Sequence, residues 1–255
     1  MDPTSIDLLA FGPHPDDIEI GFGGCVALHA AQGFRVGLCD LTRGELGSNG
    51  TVDERLSEAE AARAVLGADW RINLGWPDGG PYDSADHVSD TVWLVRAARP
   101  EVVAIPYWDD RHPDHRAASQ ALSRAVFTAG LRRFRIASGE RPWLRLFARD
   151  ASPAEAWRPR RIVYYFINDD APVSFAVDVS EVYEKKRQAL ACHATQFAPQ
   201  DTDRVQTRLT ASSFLQLIES RDARLGALTG VAYAEGIVVR EPLLRTSLFD
   251  DRGDR

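Results

Sequence analysis

Two short segments carry the residue types that hold metals and move protons: His14-Pro15-Asp16-Asp17 and His112-Pro113-Asp114-His115. In each, an imidazole stands three residues before a second ligand-type side chain. That offset lets both side chains face one point where a loop enters a helix. Imidazole nitrogen and carboxylate oxygen suit a borderline divalent ion, and three protein ligands with an open position make the catalytic arrangement for zinc. The most economical ligand set is His14, Asp17 and His115. Asp16 then stands beside the ion uncoordinated, free to take the proton of an attacking water. His112 is left over too. As imidazolium it would stabilise an oxyanion or protonate a leaving amine, with Asp114 holding the ring by its other nitrogen. One His-Pro-Asp segment alone could be a turn and a helix cap. Two of them, both at strand ends, describe a metal hydrolase without naming the bond it cuts.

Weaker signals surround these motifs. Glu45, in the polar loop Thr42–Val52, could bind sugar hydroxyls, and the loop glycines allow close backbone approach. Arg55 sits three residues before Glu58, so the two could pair; alternatively the Arg55 fork enters the cleft and grips a carboxylate or phosphate. Asp78, in Trp76-Pro77-Asp78-Gly79, reads as a cleft residue or a turn aspartate. His193 near Gln196 reads as a polar contact to substrate or an ordinary helix-end histidine. Glycines 12, 21, 23 and 24 do not make a dinucleotide fingerprint, because GPHPDD follows the first strand where G-x-G-x-x-G would be needed.

The elements that must position these residues alternate. The segments 6–11, 34–40, 70–74 and 102–106 read as buried strands. Helices are expected over 18–32, 53–66 with Asp53 as N-cap, 84–99 and 114–129. Four strand–loop–helix units imply an α/β fold, a mostly parallel sheet with helices on both faces. Both motifs then emerge at the carboxyl ends of strands, where such sheets bind ligands. The second half is less regular. Strands are expected at 162–167 and 175–179 and helices at 180–192 and 208–223, while Arg132–Arg160 is the least readable stretch. No linker or repeat interrupts the chain, so residues 1–255 are expected to form a single domain.

Composition bounds the partners. The 255 residues carry 30 Lys and Arg against 37 Asp and Glu, a net charge of −7, which argues against a nucleic-acid partner. Cys25, Cys39 and Cys192 are few and unpatterned, as in a reducing compartment. Neither a basic signal-peptide start nor a membrane-length apolar run is present, so a cytoplasmic location without a membrane partner is expected.

At these residues the chain resembles the PIG-L/LmbE-like zinc-dependent N-acetylglucosamine deacetylases. The two His-Pro-Asp motifs carry the likeness, with the Gly44-Glu45 loop, Arg55 to Glu58, Asp78-Gly79 and Lys186 through His193 to Gln196. GPHPDDIEIGFGG, TRGELGSNGTVDER, ESRDARLGALTGVAYAEG and REPL most resemble the bacillithiol-biosynthesis branch, which acts on N-acetylglucosaminyl-malate. The resemblance implies a Rossmann-like fold and zinc on His14, Asp17 and His115. It implies Asp16 as general base and His112 as electrostatic or acid partner. It further implies a small amino-sugar conjugate as substrate and a homo-oligomer, a trimer or hexamer. Arg55 and Arg111 are the expected cations for the malate carboxylates. Either Tyr107 or His193 would assist at the oxyanion.

Overall fold

The computed structural model describes residues 5–137, 139, 141, 143, 144, 155–197, 205–244, 246 and 247. The expected alternation is present: β1 (Leu8–Gly12), α1 (Asp17–Ala31), β2 (Val36–Thr42), α2 (Val52–Leu66), β3 (Trp70–Trp76), α3 (Ala85–Ala98), β4 (Val102–Pro106) and α4 (Pro113–Ala129). The second half adds β5 (Arg161–Tyr165), β6 (Phe175–Asp178), a 3-10 turn at Ser180–Val182, α5 (Tyr183–Cys192), α6 (Ala194–Phe197), α7 (Ser212–Thr229) and β7 (Ala234–Val238). The strands form one sheet in the order β3-β2-β1-β4-β5-β7-β6. Neighbours from β3 through β5 are parallel, and β7 lies antiparallel to both β5 and β6. Every residue of β1 and β2 is buried, as befits central parallel strands covered on both faces.

Successive strand residues point to opposite faces and so feed two cores. Leu9, Phe11, Cys39, Val103 and Ile105 pack under α3 and α4. Leu8, Ala10, Leu38, Ala104 and Val163 pack under α1, α5 and α7. Among the described residues no helix is long and apolar enough to cross a membrane.

Several local expectations are corrected. The N-cap of α2 is Thr51, not Asp53. Glu54 N–H donates to the Thr51 hydroxyl, and the Glu54 carboxylate accepts from Thr51 N–H at 2.7 Å, a reciprocal capping box. The helix expected at 208–223 starts later, because Thr207 and Thr210 bond each other's backbone in a preceding turn, and it runs on to Gly230 in a left-handed conformation. Strand β7 was not expected. Its Glu235 is buried against Lys186 and breaks the apolar run that marks a strand.

Strand order reverses at β1, with β2 on one side and β4 on the other. The loops after β1 and β4 therefore meet at the carboxyl edge, the crevice where open α/β sheets take ligands.

Candidate functional site

The two motifs converge there. The ring centroids of His14 and His115 lie 5.6 Å apart, and those of His112 and His115 stack at 4.6 Å. They line a cavity of about 570 Å³ that also admits Asp16, Asp17, Arg55, Asp78, Arg111, Asp114, Asn168 and Arg208.

Donor atoms of His14, Asp17 and His115 all lie within 4.8 Å of one another. His14 Nδ1 is 3.0 Å from Asp17 Oδ2, and His115 Nε2 is 3.3 Å from Asp17 Oδ1. Tetrahedral ligands bound at ~2.0–2.2 Å stand roughly 3.3 Å apart, so the spacing and the nitrogen–oxygen donor set fit a zinc-type ion. Each imidazole is gripped at its other nitrogen. His14 Nε2 meets Asp78 Oδ1 at 3.1 Å and Asp114 Oδ2 at 3.3 Å. His115 Nδ1 meets Asp110 Oδ1 at 3.1 Å. Such carboxylate partners set the tautomer and orientation of a ligating ring.

Electrostatics follow the same contacts. Burial opposes a charged His115, but Asp17 and Asp110 outweigh it and raise the ring to about 9. Burial likewise opposes charging His14, and Asp114, Asp17 and Asp78 together hold it well above its ordinary value. Asp17, though buried, is held well below the usual carboxylate range by His115 and His14. These protons occupy positions a divalent cation competes for, so metal and proton binding are linked.

Asp16 stands aside from this ligand set. Arg55 Nη2 donates to its Oδ2 at 3.3 Å. At the start of α1 it makes no side-chain capping bond.

His112 departs from expectation. It caps α4, its Nδ1 accepting the Asp114 backbone N–H at 3.2 Å. An accepting Nδ1 carries no proton, which places the ring proton on Nε2 and makes the ring neutral rather than imidazolium. Burial, with His115 and His14 nearby, pushes His112 below its ordinary value in the same direction. The Asp114 carboxylate does not hold the His112 ring. It accepts instead from Tyr82 hydroxyl at 3.0 Å and Gly79 N–H at 3.1 Å, and faces His14.

The expected substrate residues divide. Asp78 is in the cavity, bonded to His14 and to Leu46 N–H. Glu45 is exposed and braces the loops, accepting from Asp78 N–H and Arg43 N–H. Arg55 does not pair with Glu58, which accepts from Thr195 N–H and hydroxyl. His193 is a correction: it is buried beneath the site, its Nε2 3.5 Å from Glu19, and does not line the cavity. Gln196, three residues on, lines it instead. Tyr107 packs against Trp108 and Phe166 and also does not line the cavity.

Sequence reasoning missed Asp110, Asn168, Tyr82 and Arg208. The only signal for Asp110 was its place two residues before His112. Asn168 donates to Asp110 from both its backbone N–H and its side-chain amide, across 58 residues of chain.

Comparison with known proteins gives the chain its relatives. Residues 9–126 match the PIG-L family, described as GlcNAc-PI de-N-acetylase. A conserved protein of Thermus thermophilus with a crystal structure is 34% identical, covering 95% of this chain and 98% of that one with a TM-score of 0.81. The 1D-myo-inositol 2-acetamido-2-deoxy-alpha-D-glucopyranoside deacetylase of Rhodococcus opacus is 30% identical over 77% of this chain and 84% of its own length. The diacetylchitobiose deacetylase of Thermococcus kodakarensis is 28% identical over 90% and 81%.

Proposed function

This chain belongs to the PIG-L de-N-acetylase family, and from that premise we propose that it is a zinc-dependent hydrolase that removes the acetyl group from N-acetylglucosaminyl-malate in bacillithiol biosynthesis. Its standing as a metal-dependent deacetylase follows from the family and the His–Asp donor cluster. Zinc and the malate conjugate are the finer reading. The observation that carries the hydrolytic chemistry is one cavity holding both the His14–Asp17–His115 donor set and a carboxylate, Asp16, outside that set.

A divalent ion on those three ligands supplies Lewis acidity toward the acetyl carbonyl and the attacking water. The protein's own groups do the rest. Asp16 accepts the water proton and returns it to the leaving amine nitrogen. His112, anchored at Nδ1, donates from Nε2 to the developing oxyanion. Asp78 and Asp114 keep His14 oriented, and Asp110 does so for His115.

Two cations support an acidic conjugate. Arg111 and Arg208 line the cavity, and among the described residues neither guanidinium is paired with a carboxylate. Arg208 is steadied by Asn168 Oδ1 at 3.0 Å and lies 5.4 Å from the Phe214 ring centre. They replace the expected pair of Arg55 and Arg111, since Arg55 is engaged with Asp16.

The deciding assay follows acetate release from N-acetylglucosaminyl-malate and from plain N-acetylglucosamine, after chelation and add-back of zinc, iron or manganese. The expected result is zinc-restored activity with strong preference for the malate conjugate. Equal rates on both substrates would refute the malate reading, and inositol and chitobiose conjugates would be assayed next. Full activity in the chelated protein would refute the metal chemistry.

A further inference from the structure

The cavity wall contains two stretches that are far apart in the chain: Leu46, Gly47 and Ser48 from the loop after β2, and Thr207, Arg208 and Leu209 just before α7. Asn49 ties them together, although it does not line the cavity itself. Its Nδ2 donates to Val205 O at 2.8 Å, and its Oδ1 accepts from Val205 N–H at 2.9 Å. Both bonds fall on one residue, a pairing suited to the donor and acceptor of a single carboxamide. The clamp is itself fixed. Asn49 O accepts from Gln196 Nε2 at 2.8 Å. The next residue, Gly50, has a φ of +76° and passes so close to Thr195 that a Cβ there would fall 2.8 Å from the threonine Cβ. Beyond Val205, Thr207 N–H donates to the Thr210 hydroxyl at 2.8 Å and that hydroxyl donates to Thr207 O at 3.0 Å, which closes the turn carrying Arg208. The Arg208 guanidinium then donates to Asn168 Oδ1 at 3.0 Å. Its backbone is thus held through Asn49 and its tip by Asn168.

The charges around it give this placement a consequence. Asp16, Asp17, Asp78 and Asp114 line the same cavity and repel an anionic group. We infer that Arg208 is the specificity-determining residue by which this cavity selects an acidic conjugate, and that Asn49 is a positioning residue that seats it. This rests on the reading of the substrate as an acidic conjugate. Arg208 meets the substrate carboxylate with a planar fork, and Asn49 acts only through the segment it clamps.

The test compares kcat/KM for N-acetylglucosaminyl-malate with kcat/KM for N-acetylglucosamine on the metal-loaded enzyme, so that a general loss cancels from the ratio. Arg208→Gln should lower the ratio about ten- to hundredfold, the worth of a hydrogen bond between charged groups. Arg208→Lys, which keeps the charge and loses the fork, should lower it less. Asn49→Ala should lower the same ratio. So should Asn49→Asp, which keeps the acceptor and loses the donor to Val205 O, and it serves if Asn49→Ala folds poorly. The Asn49→Ala, Arg208→Gln double variant should show the ratio of Arg208→Gln alone, because a residue acting through Arg208 has nothing left to act on. A ratio within about twofold of wild type in Arg208→Gln or in both Asn49 variants, or losses that multiply in the double variant, would overturn the inference while leaving the wild-type preference for the malate conjugate intact. Equal rates of the wild-type enzyme on both substrates would instead remove the acidic-conjugate reading, and these roles for Arg208 and Asn49 with it.

Discussion

Replacing Asp110 by Asn alters a residue that touches no metal-ligand atom of the proposed triad except through a ring. Its Oδ1 accepts from His112 N–H at 2.8 Å and Asn168 Nδ2 at 3.1 Å, and lies 3.1 Å from His115 Nδ1; its Oδ2 accepts from Asn168 N–H at 3.0 Å. Four donors converge on one buried carboxylate, which His115 and the two backbone N–H groups hold down at about 2 despite its burial. An Asn amide offers one oxygen. With that oxygen on the Oδ1 side, the new NH2 opposes Asn168 N–H, leaving a buried donor unpaired at about 1–3 kcal/mol. The bond to His115 Nδ1 loses its charge assistance, which roughly halves its strength. Loss of such an outer partner costs roughly 10–100-fold in metal affinity. Competition against a chromophoric chelator measures that constant directly, with thermal unfolding as the check on folding. A folded Asp110→Asn protein whose metal affinity matched wild type within about twofold would show that Asp110 does not orient His115 toward the ion.

Three further outcomes follow from the same contacts. His115→Ala should lose metal and turnover together, whereas Asp16→Asn should keep its metal and lose roughly 10²–10⁴-fold in rate; metal analysis of the two purified variants distinguishes ligand from base. Tyr82→Phe removes a buried donor to the Asp114 carboxylate and should cost about 1.5–3 kcal/mol in denaturant unfolding, and an unchanged midpoint would argue against that bond. Acid should destabilise the fold through Glu19, which burial would raise but Arg71 and His193 hold down to about 2. A carboxylate depressed in the folded state stabilises above its unfolded value of about 4.3, and that contribution is lost as pH falls toward about 2. Melting temperature should therefore drop across that window, and Glu19→Gln should flatten the drop; parallel curves would contradict it.

What could be read from the chain was whatever is local. His14 and Asp17, or His112 and His115, are three residues apart, and their offset expresses itself in any loop-to-helix junction. The runs that became β1 and β4 are apolar throughout because both faces are covered, and β2 departs from that only at the buried Asp40 and Thr42. Features set by distant contacts were silent. Tyr82 matters because Asp114, 32 residues away, accepts its hydrogen bond, and Arg208 because Asn168, 40 residues away, steadies it. His193 misled for the converse reason: a histidine at a helix end is polar by type, but here it is packed against the buried Glu19. Strand β7 was hidden by Glu235, whose carboxylate serves Lys186 and the backbone N–H groups of Gly24 and Cys25.

The two histidines of the proposed ligand set present opposite nitrogens, and this explains why so much of the site lies outside the motifs. His14 offers Nδ1 because its Nε2 is taken by Asp78, from the loop after β3, and by Asp114 at the start of α4. His115 offers Nε2 because its Nδ1 is taken by Asp110, which is itself held by Asn168 beyond β5. The tautomer of each ring is thus chosen by residues that follow other strands. A motif of four residues can name the ligands, but it cannot orient them. Orientation here depends on the ends of β1, β3, β4 and β5 arriving at one edge in register. The central sheet is therefore part of the catalytic apparatus: a shift of one residue in the pairing of β1 with β4 would carry His14 away from Asp114 by about 3.3 Å, more than any hydrogen bond in the site could follow.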